Sequence, residues 1–379
     1  ISALDLTKNN CGNISDNYLS ILNNLALCYS DLGDYESSLD LLLTSLDTYN
    51  NIPTSNNKKL STILSNIALC HYHLGNYHKS IVYCKDAQSK NRYNFASLTN
   101  LGNTYARLGE HRKTVKYFTK SIKLHSKQNG NLHIENTIPM IGILPSFIDR
   151  DKYQKGLLIR ENIYSILKYN TLKQFAQMTA NMRKVFWQSH LTLALTACNS
   201  IPIEHVRHNN RSICLSYNLM LFSKEMILAT DIEFDKVIRE SGDTVLLEKF
   251  EELRTTRSIL NTYYNKPIAE RPGGEVERLE VRAEALEKDL LAGSKEYADF
   301  TRRLEIEWQD VQAALGDKDV AIEILAADEQ IDEDTPPYYA ALVLRKGWDA
   351  PKFVELCGAE ELQAYFDSEN GLAMMYREA

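Results

Sequence analysis

An internal repeat in the first third of the sequence most constrains the fold. Three segments each carry a helical pattern, a Leu-Gly break and a second helical pattern, and the breaks fall at Gly33, Gly75 and Gly109. These glycines lie 42 and then 34 residues apart. Glycine allows the chain to leave one helix in a left-handed conformation and to begin the next. Because a single helix pair cannot bury its apolar face alone, the repeated pairs predict a stacked helical array.

The repeats resemble the tetratricopeptide repeat family in their small and aromatic residues. Small residues occupy the positions where the two helices of a pair cross: Ala26, Ala68 and Gly102. Aromatic residues, Tyr35 and Tyr77, follow two of the breaks. The closing Pro of the family is missing, and its small residue early in the second helix appears as Ser38, Ser80 and Thr114. The resemblance covers roughly residues 15–125 and predicts a repeat domain over 1–125. The 42-residue interval predicts a longer inter-repeat stretch around 50–59.

An asparagine recurs two residues before each small residue, at Asn24, Asn66 and Asn100. The family resemblance implies that an asparagine at this place lines the inner groove and pairs with the backbone of an extended peptide. A side-chain amide both donates and accepts, so it reads peptide backbone without reading sequence. The alternative is that these amides are solvated or bonded within the helices. Together with Asn103 and Arg107, they are the candidate residues for binding a protein or peptide ligand.

The middle of the chain, residues 126–265, predicts a further helical, repeat-like region. Apolar residues at three-to-four spacing predict a buried face in a helix over 172–197: Met178, Met182, Val185 and Phe186. His205, His208 and Cys214 suggest a metal site or a thiol–imidazole pair, but a metal needs three or four convergent ligands. We therefore interpret the histidines as loop residues and expect no metal site.

The acidic end predicts a helical hairpin followed by strands. Apolar residues at spacings of three and four run through 275–293 and again from Tyr297 to Leu315, which predicts two amphipathic helices over 275–316. From 317 the period changes, and residues 320–325, 338–344 and 352–357 are typical of strands. Lys346-Gly347-Trp348-Asp349 predicts a tight turn between the last two strands.

The order of these segments resembles the start of the CHAT domain, a caspase-like fold often found behind tetratricopeptide repeats in bacterial proteins. The resemblance lies in residues 308–312, 320–323, 339–343 and 351–356. It extends upstream to residues 217–228, whose sequence is typical of a helix. It implies that residues 317–379 are the incomplete beginning of an α/β domain. Family members that are proteases use a His–Cys dyad, and both residues would follow later strands, beyond Ala379. Cys357 is interpreted as an ordinary buried residue.

Charge and composition exclude several classes of function. The chain carries 43 basic and 50 acidic residues, for a net charge of −7. Residues 1–150 and 151–239 carry +4 and +5, whereas residues 240–379 carry −16. The acidic end would repel phosphates and the positive balance upstream is diffuse, so we expect no nucleic-acid partner. No run of 18 apolar residues occurs, so we expect no membrane span. Seven cysteines without a CxxC pair indicate free thiols and a cytoplasmic location.

The sequence thus predicts a mostly α protein: a tetratricopeptide-type array, a helical linker region and the first strands of a truncated α/β caspase-like domain. A chain that begins at Ile1 and ends within an incomplete sheet-containing domain is expected to be a piece of something longer. The expected function is a recognition and regulatory arm of a caspase-like cysteine peptidase, whose repeats also contact the caspase-like domain. The alternative is a non-catalytic scaffold. Since no phosphate loop, metal cluster or nucleophile motif is present, we expect no cofactor and no peptidase activity within residues 1–379.

Overall fold

The computed structural model describes residues 16–52, 56–147, 152–174, 185–186, 206, 209–229, 238–294, 302–327, 338–358 and 361–362. The chain divides into two compact units, Ile1–Lys127 and Gln128–Ala379. As predicted, the protein is mostly helical, with a repeat array at the start and a small sheet near the end.

The first unit contains three helix pairs. Their bounds are α1 Asp16–Asp31 with α2 Tyr35–Asn50, α3 Asn57–His73 with α4 Tyr77–Lys90, and α5 Phe95–Arg107 with α6 His111–Asn129. Each pair turns at the predicted glycine, since Gly33, Gly75 and Gly109 have φ values of +81°, +73° and +69°. In the first turn, the Gly33 and Asp34 amides donate to the Ser30 and Tyr29 carbonyls, which satisfies the last carbonyls of α1.

The extra length of the first interval lies mainly in the helices. Helices α2 and α3 have 16 and 17 residues, whereas α4 and α5 have 14 and 13. The connecting segments differ by less: residues 51–56 join α2 to α3, and residues 91–94 join α4 to α5. The extra residues of the longer interval therefore lengthen the helices as well as the loop around 50–59.

A small residue on the first helix and a buried residue on the second helix help to fill the space between the two helices of each repeat. Ala26 and Leu42 belong to one buried cluster, and Ala68 and Cys84 to the next. In the third repeat the equivalent pair is Gly102 and Phe118, and a Cβ on Gly102 would lie 2.6 Å from the Phe118 ring. The Ser38 hydroxyl, which departs from the family pattern, is buried and donates to the Ala26 carbonyl at 2.7 Å.

The second unit begins with helices. Their bounds are α7 Thr137–Ile143, α8 Tyr153–Gln174, α9 Asn210–Ala229, α10 Thr244–Tyr264, α11 Glu275–Gly293 and α12 Trp308–Ala314. Short 3-10 turns lie at Ile134–Asn136, Leu144–Phe147 and Ile268–Glu270. Most of the predicted helix over 172–197 and the residues His205 and His208 lie outside the described residues. No described helix is both long and apolar enough to cross a membrane.

The second half of the predicted hairpin is interrupted. Residues 302–305 are helical, Ile306 and Glu307 are not, and helix α12 begins at Trp308. The Glu307 amide donates to the Asp310 carboxylate at 2.9 Å, and the Glu307 carboxylate pairs with Lys168 at 2.8 Å. These contacts begin a new helix at a point where the apolar spacing predicted a continuous one.

Three antiparallel strands follow, at the positions the sequence predicted: β1 Val320–Ala327, β2 Tyr338–Arg345 and β3 Lys352–Gly358. Their order is β1-β2-β3, with a register shift between Tyr339 and Ala340. Gly347, with φ +77°, makes the predicted turn between β2 and β3.

One buried core joins the sheet to the helices of the second unit. Leu342 and Leu344 of β2 share a cluster with Tyr217 and Phe222 of α9 and with Leu286 of α11. The side chain of Lys224 on α9 pairs with that of Glu323 on β1, which is almost buried. The segments predicted as 126–265, 275–316 and 317–379 therefore contribute to a single core, although the domain boundaries themselves stay a prediction.

Candidate functional site

The first helices of the three repeats, α1, α3 and α5, carry all of the predicted binding residues. Asn24, Asn66 and Asn100 each precede the small residue of their helix by two positions, which is about 200° of rotation on a helix. Since the small residue packs against the second helix of its pair, the asparagines lie on the opposite side, where α3 neighbours α1 and α5.

Two of the asparagine amides link neighbouring first helices. Asn100 is buried, and its Nδ2 donates to the Ser65 carbonyl at 3.0 Å. Asn66 is half-buried, and its Nδ2 donates to the Asn23 Oδ1 at 2.8 Å. Ser65 and Asn23 hold equivalent places in their repeats, one residue before Asn66 and Asn24. Asn66 and Asn100 therefore form hydrogen bonds between neighbouring helices of the array. Each of these two side-chain amides uses one of its N–H donors in that bond.

Asn24 is the exposed member of the series, because α1 is the first helix among the described residues. It lines a cleft of about 370 Å³ between α1 and α3. Buried Leu19 and Ile63 lie at its base, and its polar lining consists of Ser20, Asn23, Asn24, Asn56, Lys58, Lys59 and Thr62. Of the five predicted site residues, this cleft contains Asn24 alone.

The other two predicted residues lie on α5, away from that cleft. Asn103 is half-buried and Arg107 is exposed. The Arg107 Nε donates to the hydroxyl of Tyr72 on α3 at 3.3 Å, and this bond raises the pKa of the guanidinium. Beside it, the rings of Tyr35 and His73 stack with centroids 4.2 Å apart. Arg107 and these rings therefore join the ends of adjacent repeats at one edge of the array.

The lysines of the cleft were not predicted from the sequence. Lys58 and Lys59 lie in the first turn of α3, and the backbone amides of both donate to the Asn56 side chain. The signal that could have found them is the pairing of Asn23-Asn24 with Lys58-Lys59 on adjacent first helices. Amide groups in the cleft can bond peptide backbone, and the ammonium groups can attract carboxylates.

Two cysteines considered from the sequence lie in the second unit. Cys214 on α9 is half-buried, and burial raises the pKa of its thiol, which disfavours the nucleophilic thiolate. Cys357 on β3 is also half-buried rather than fully buried.

Comparison with known protein families identifies the repeats. Residues 17–89 and residues 95–127 match two models described as tetratricopeptide repeat. The first unit therefore carries tetratricopeptide repeats, a module that mediates protein–protein interaction. No curated protein matches the chain.

Two solved structures from Podosopora anserina align with the chain. One is a putative kinesin light chain with nearly identical TPR-like repeats, at 10% identity and a TM-score of 0.36, covering 60% of this chain and 97% of that one. The other is a point variant of the same protein, at 11% identity and a TM-score of 0.36, covering 56% of this chain and 90% of that one. The repeat assignment rests on the family models and the helix geometry.

Proposed function

We propose that the repeat array binds an extended segment of a partner protein in the cleft between α1 and α3. The observation that carries this proposal is the cleft itself, at about 370 Å³. That volume falls within the roughly 300–1,000 Å³ range of ligand pockets. An apolar base with a polar rim also fits a peptide that buries a side chain and bonds its backbone to the rim.

Asn24 and Asn100 take different roles in this proposal. Asn24 is exposed at the cleft and would bond the ligand backbone. Asn100 donates to the Ser65 carbonyl, so it would position the first helices rather than touch the ligand. Asn66, Asn103 and Arg107 would extend the same surface toward the third repeat.

Matched variants in the 379-residue chain test these roles. Peptides selected from a random 12-residue library on the wild-type chain would be measured by fluorescence anisotropy against three variants. We expect Asn24→Ala and Lys59→Ala each to weaken binding about tenfold, which is about 1.4 kcal/mol, with unchanged stability. Lys85→Ala, exposed on α4, should bind like wild type. Loss of binding in Lys85→Ala with full binding in Asn24→Ala would contradict the proposed cleft.

Asn100→Ala gives the complementary result. Removing this buried bond leaves the Ser65 carbonyl without its side-chain donor and should destabilise the array by about 1–3 kcal/mol. Peptide affinity should be nearly unchanged at temperatures where the variant is folded. A selective loss of affinity at full stability would instead place Asn100 in the ligand contact.

For the whole protein, we propose a recognition and regulatory arm of a caspase-like cysteine peptidase. Support comes from the sequence resemblance to the CHAT domain and from the predicted strand order. Partner binding to the repeats would act on the caspase-like domain through an intramolecular contact. No residue of this chain is assigned to the His–Cys dyad, which the resemblance places after Ala379.

Expression of the complete coding sequence tests this second proposal. A peptide chloromethyl ketone should label a cysteine outside residues 1–379, whereas the 379-residue chain alone should cleave no peptide substrate. Partner binding without labelling or cleavage by the complete protein would favour the non-catalytic scaffold. Cleavage by the purified 379-residue chain would contradict both.

A further inference from the structure

The outer face of α6 carries a continuous cationic stripe. At about 100° of rotation per residue, six basic side chains fall within an arc of roughly 100°: Arg112, Lys113, Lys116, Lys120, Lys123 and Lys127. All six are exposed, while the buried side chains of the helix lie on the other side: Thr114, Phe118, Ser121 and His125. With a rise of 1.5 Å per residue, the stripe extends for about 22 Å.

Within the array, little negative charge balances the positive charge of this stripe. Helix α6 contains no Asp or Glu, and Lys113 pairs with Glu110 just before the helix. In the described part of the chain, no carboxylate pairs with the other five cations of the stripe. Like charges at i,i+4 cost a helix about 0.2–0.5 kcal/mol per pair. The stripe therefore opposes the stability of its own helix, and packing does not require it.

The first repeat has the opposite character. Residues 16–52 contain six acidic residues and no Lys or Arg, whereas residues 56–127 contain 13 basic and two acidic residues. On α2 the exposed carboxylates Glu36, Asp40 and Asp47 also share one face. The charge of the array is thus separated between its two ends, and α6 is its most basic surface.

We propose that the stripe on α6 is a second docking surface, which binds an acidic segment of another protein. Its Lys and Arg groups would make charge-assisted hydrogen bonds to Asp and Glu side chains placed along about 22 Å. This surface lies on a second helix of the array, so the inference goes beyond the cleft between α1 and α3.

The distribution of charge favours a short acidic segment over a nucleic acid. A long polyanion that extended past α6 as far as the first repeat would meet the exposed carboxylates of α2, and the whole chain carries a net charge of −7. A segment matched to the length of one helix meets only the stripe.

The test uses the full chain and a labelled 20-residue peptide, (Glu-Ala-Ala-Ala)5, whose carboxylates recur at helical spacing. Binding would be measured by anisotropy at 50 mM and 300 mM NaCl. The variant Lys116→Glu/Lys120→Glu/Lys123→Glu should lose at least tenfold in affinity, and wild-type binding should weaken steeply with salt. The matched variant Lys79→Glu/Lys85→Glu/Lys90→Glu on α4 has the same net charge and should change affinity less than threefold.

Equal losses in the two triple variants would overturn the proposal, because binding would then follow net charge alone. Tighter binding of a single-stranded oligonucleotide or of phosphatidylserine vesicles than of the peptide would overturn the choice of partner. Should the Glu variant fail to fold by circular dichroism, the corresponding Lys→Gln triple is measured instead, with a loss of at least threefold expected. Asn24→Ala should leave binding of this peptide unchanged, which separates this surface from the cleft.

Discussion

The second and third repeats have the same arrangement of two paired helices, but different side chains fill the space between those helices. Positions 34 residues apart are equivalent, so Ala68 and Cys84 correspond to Gly102 and Phe118. In the second repeat, the small thiol of Cys84 on the second helix goes with the methyl group of Ala68 on the first helix. In the third repeat, the ring of Phe118 goes with Gly102, which has no side chain. In the third repeat, the larger side chain of the second helix is therefore accompanied by a smaller residue on the first helix, as close packing requires.

The largest expected effect comes from removing the ring of the third repeat. Phe118 is fully buried, so Phe118→Ala should cost the third helix pair about 3–5 kcal/mol. The equivalent Cys84→Ala should cost only about 1 kcal/mol, because less apolar volume is lost. Amide hydrogen exchange followed by mass spectrometry would measure the opening free energies of α5–α6 and α3–α4 separately. Equal losses in the two repeats would contradict the difference in packing.

A smaller effect is expected when the two solutions are mixed. Gly102→Ala places a Cβ 2.6 Å from the Phe118 ring and should destabilise the third repeat by about 1–3 kcal/mol. Adding Phe118→Leu makes room for the methyl group, so the double variant should be more stable than the sum of the single variants predicts. Strict additivity in hydrogen exchange of α5 and α6 would show that the two side chains do not compete for space.

The sequence predicted those features that depend on one segment and missed those that depend on neighbouring helices. The turns at Gly33, Gly75 and Gly109 and the three strands followed from local patterns. The hydrogen bond of Asn100 did not, because its acceptor is a carbonyl 35 residues earlier whose position only packing defines. The cleft with Lys58 and Lys59 was missed for the same reason.

The charge pattern was missed for another reason. The net charge of residues 1–150 is +4, and this sum conceals an acidic first repeat and a basic third repeat. The stripe on α6 could have been found from the sequence alone, since helical spacing places its cations on one face.

Titration should also separate the two repeats. His71 and Tyr83 stack with centroids 5.4 Å apart, and the equivalent Tyr105 and Tyr117 stack at the same distance. Burial, with a smaller contribution from Lys79, lowers the pKa of His71, and its Nδ1 has no hydrogen-bond partner among the described residues. The folded state therefore resists protonation, whereas the unfolded state binds a proton near pH 6.5. Stability of the second repeat should fall as the pH decreases through that value.

His71→Tyr gives the second repeat the ring of the third and removes this titration. We expect the opening free energy of α3–α4 to vary less between pH 7.5 and pH 5.5 in the variant than in wild type. Helices α1–α2, which contain no histidine, serve as the internal reference. An unchanged pH dependence in the variant would assign the acid sensitivity to other groups.

The smallest effect concerns charge on the second helices of the two repeats. On α4, Lys90 has Asp86 as a partner at 3.9 Å, whereas Lys120 on α6 lies between Lys116 and Lys123 at helical spacing. Lys120→Gln removes both repulsions and should stabilise α6 by a few tenths of a kcal/mol, because each such pair costs about 0.2–0.5 kcal/mol. Lys85→Gln on α4 should change stability by less. Since salt screens exposed charges, the gain should disappear in 1 M NaCl. A gain that persists in high salt would come from helix propensity or packing, and the stripe would then carry no electrostatic cost.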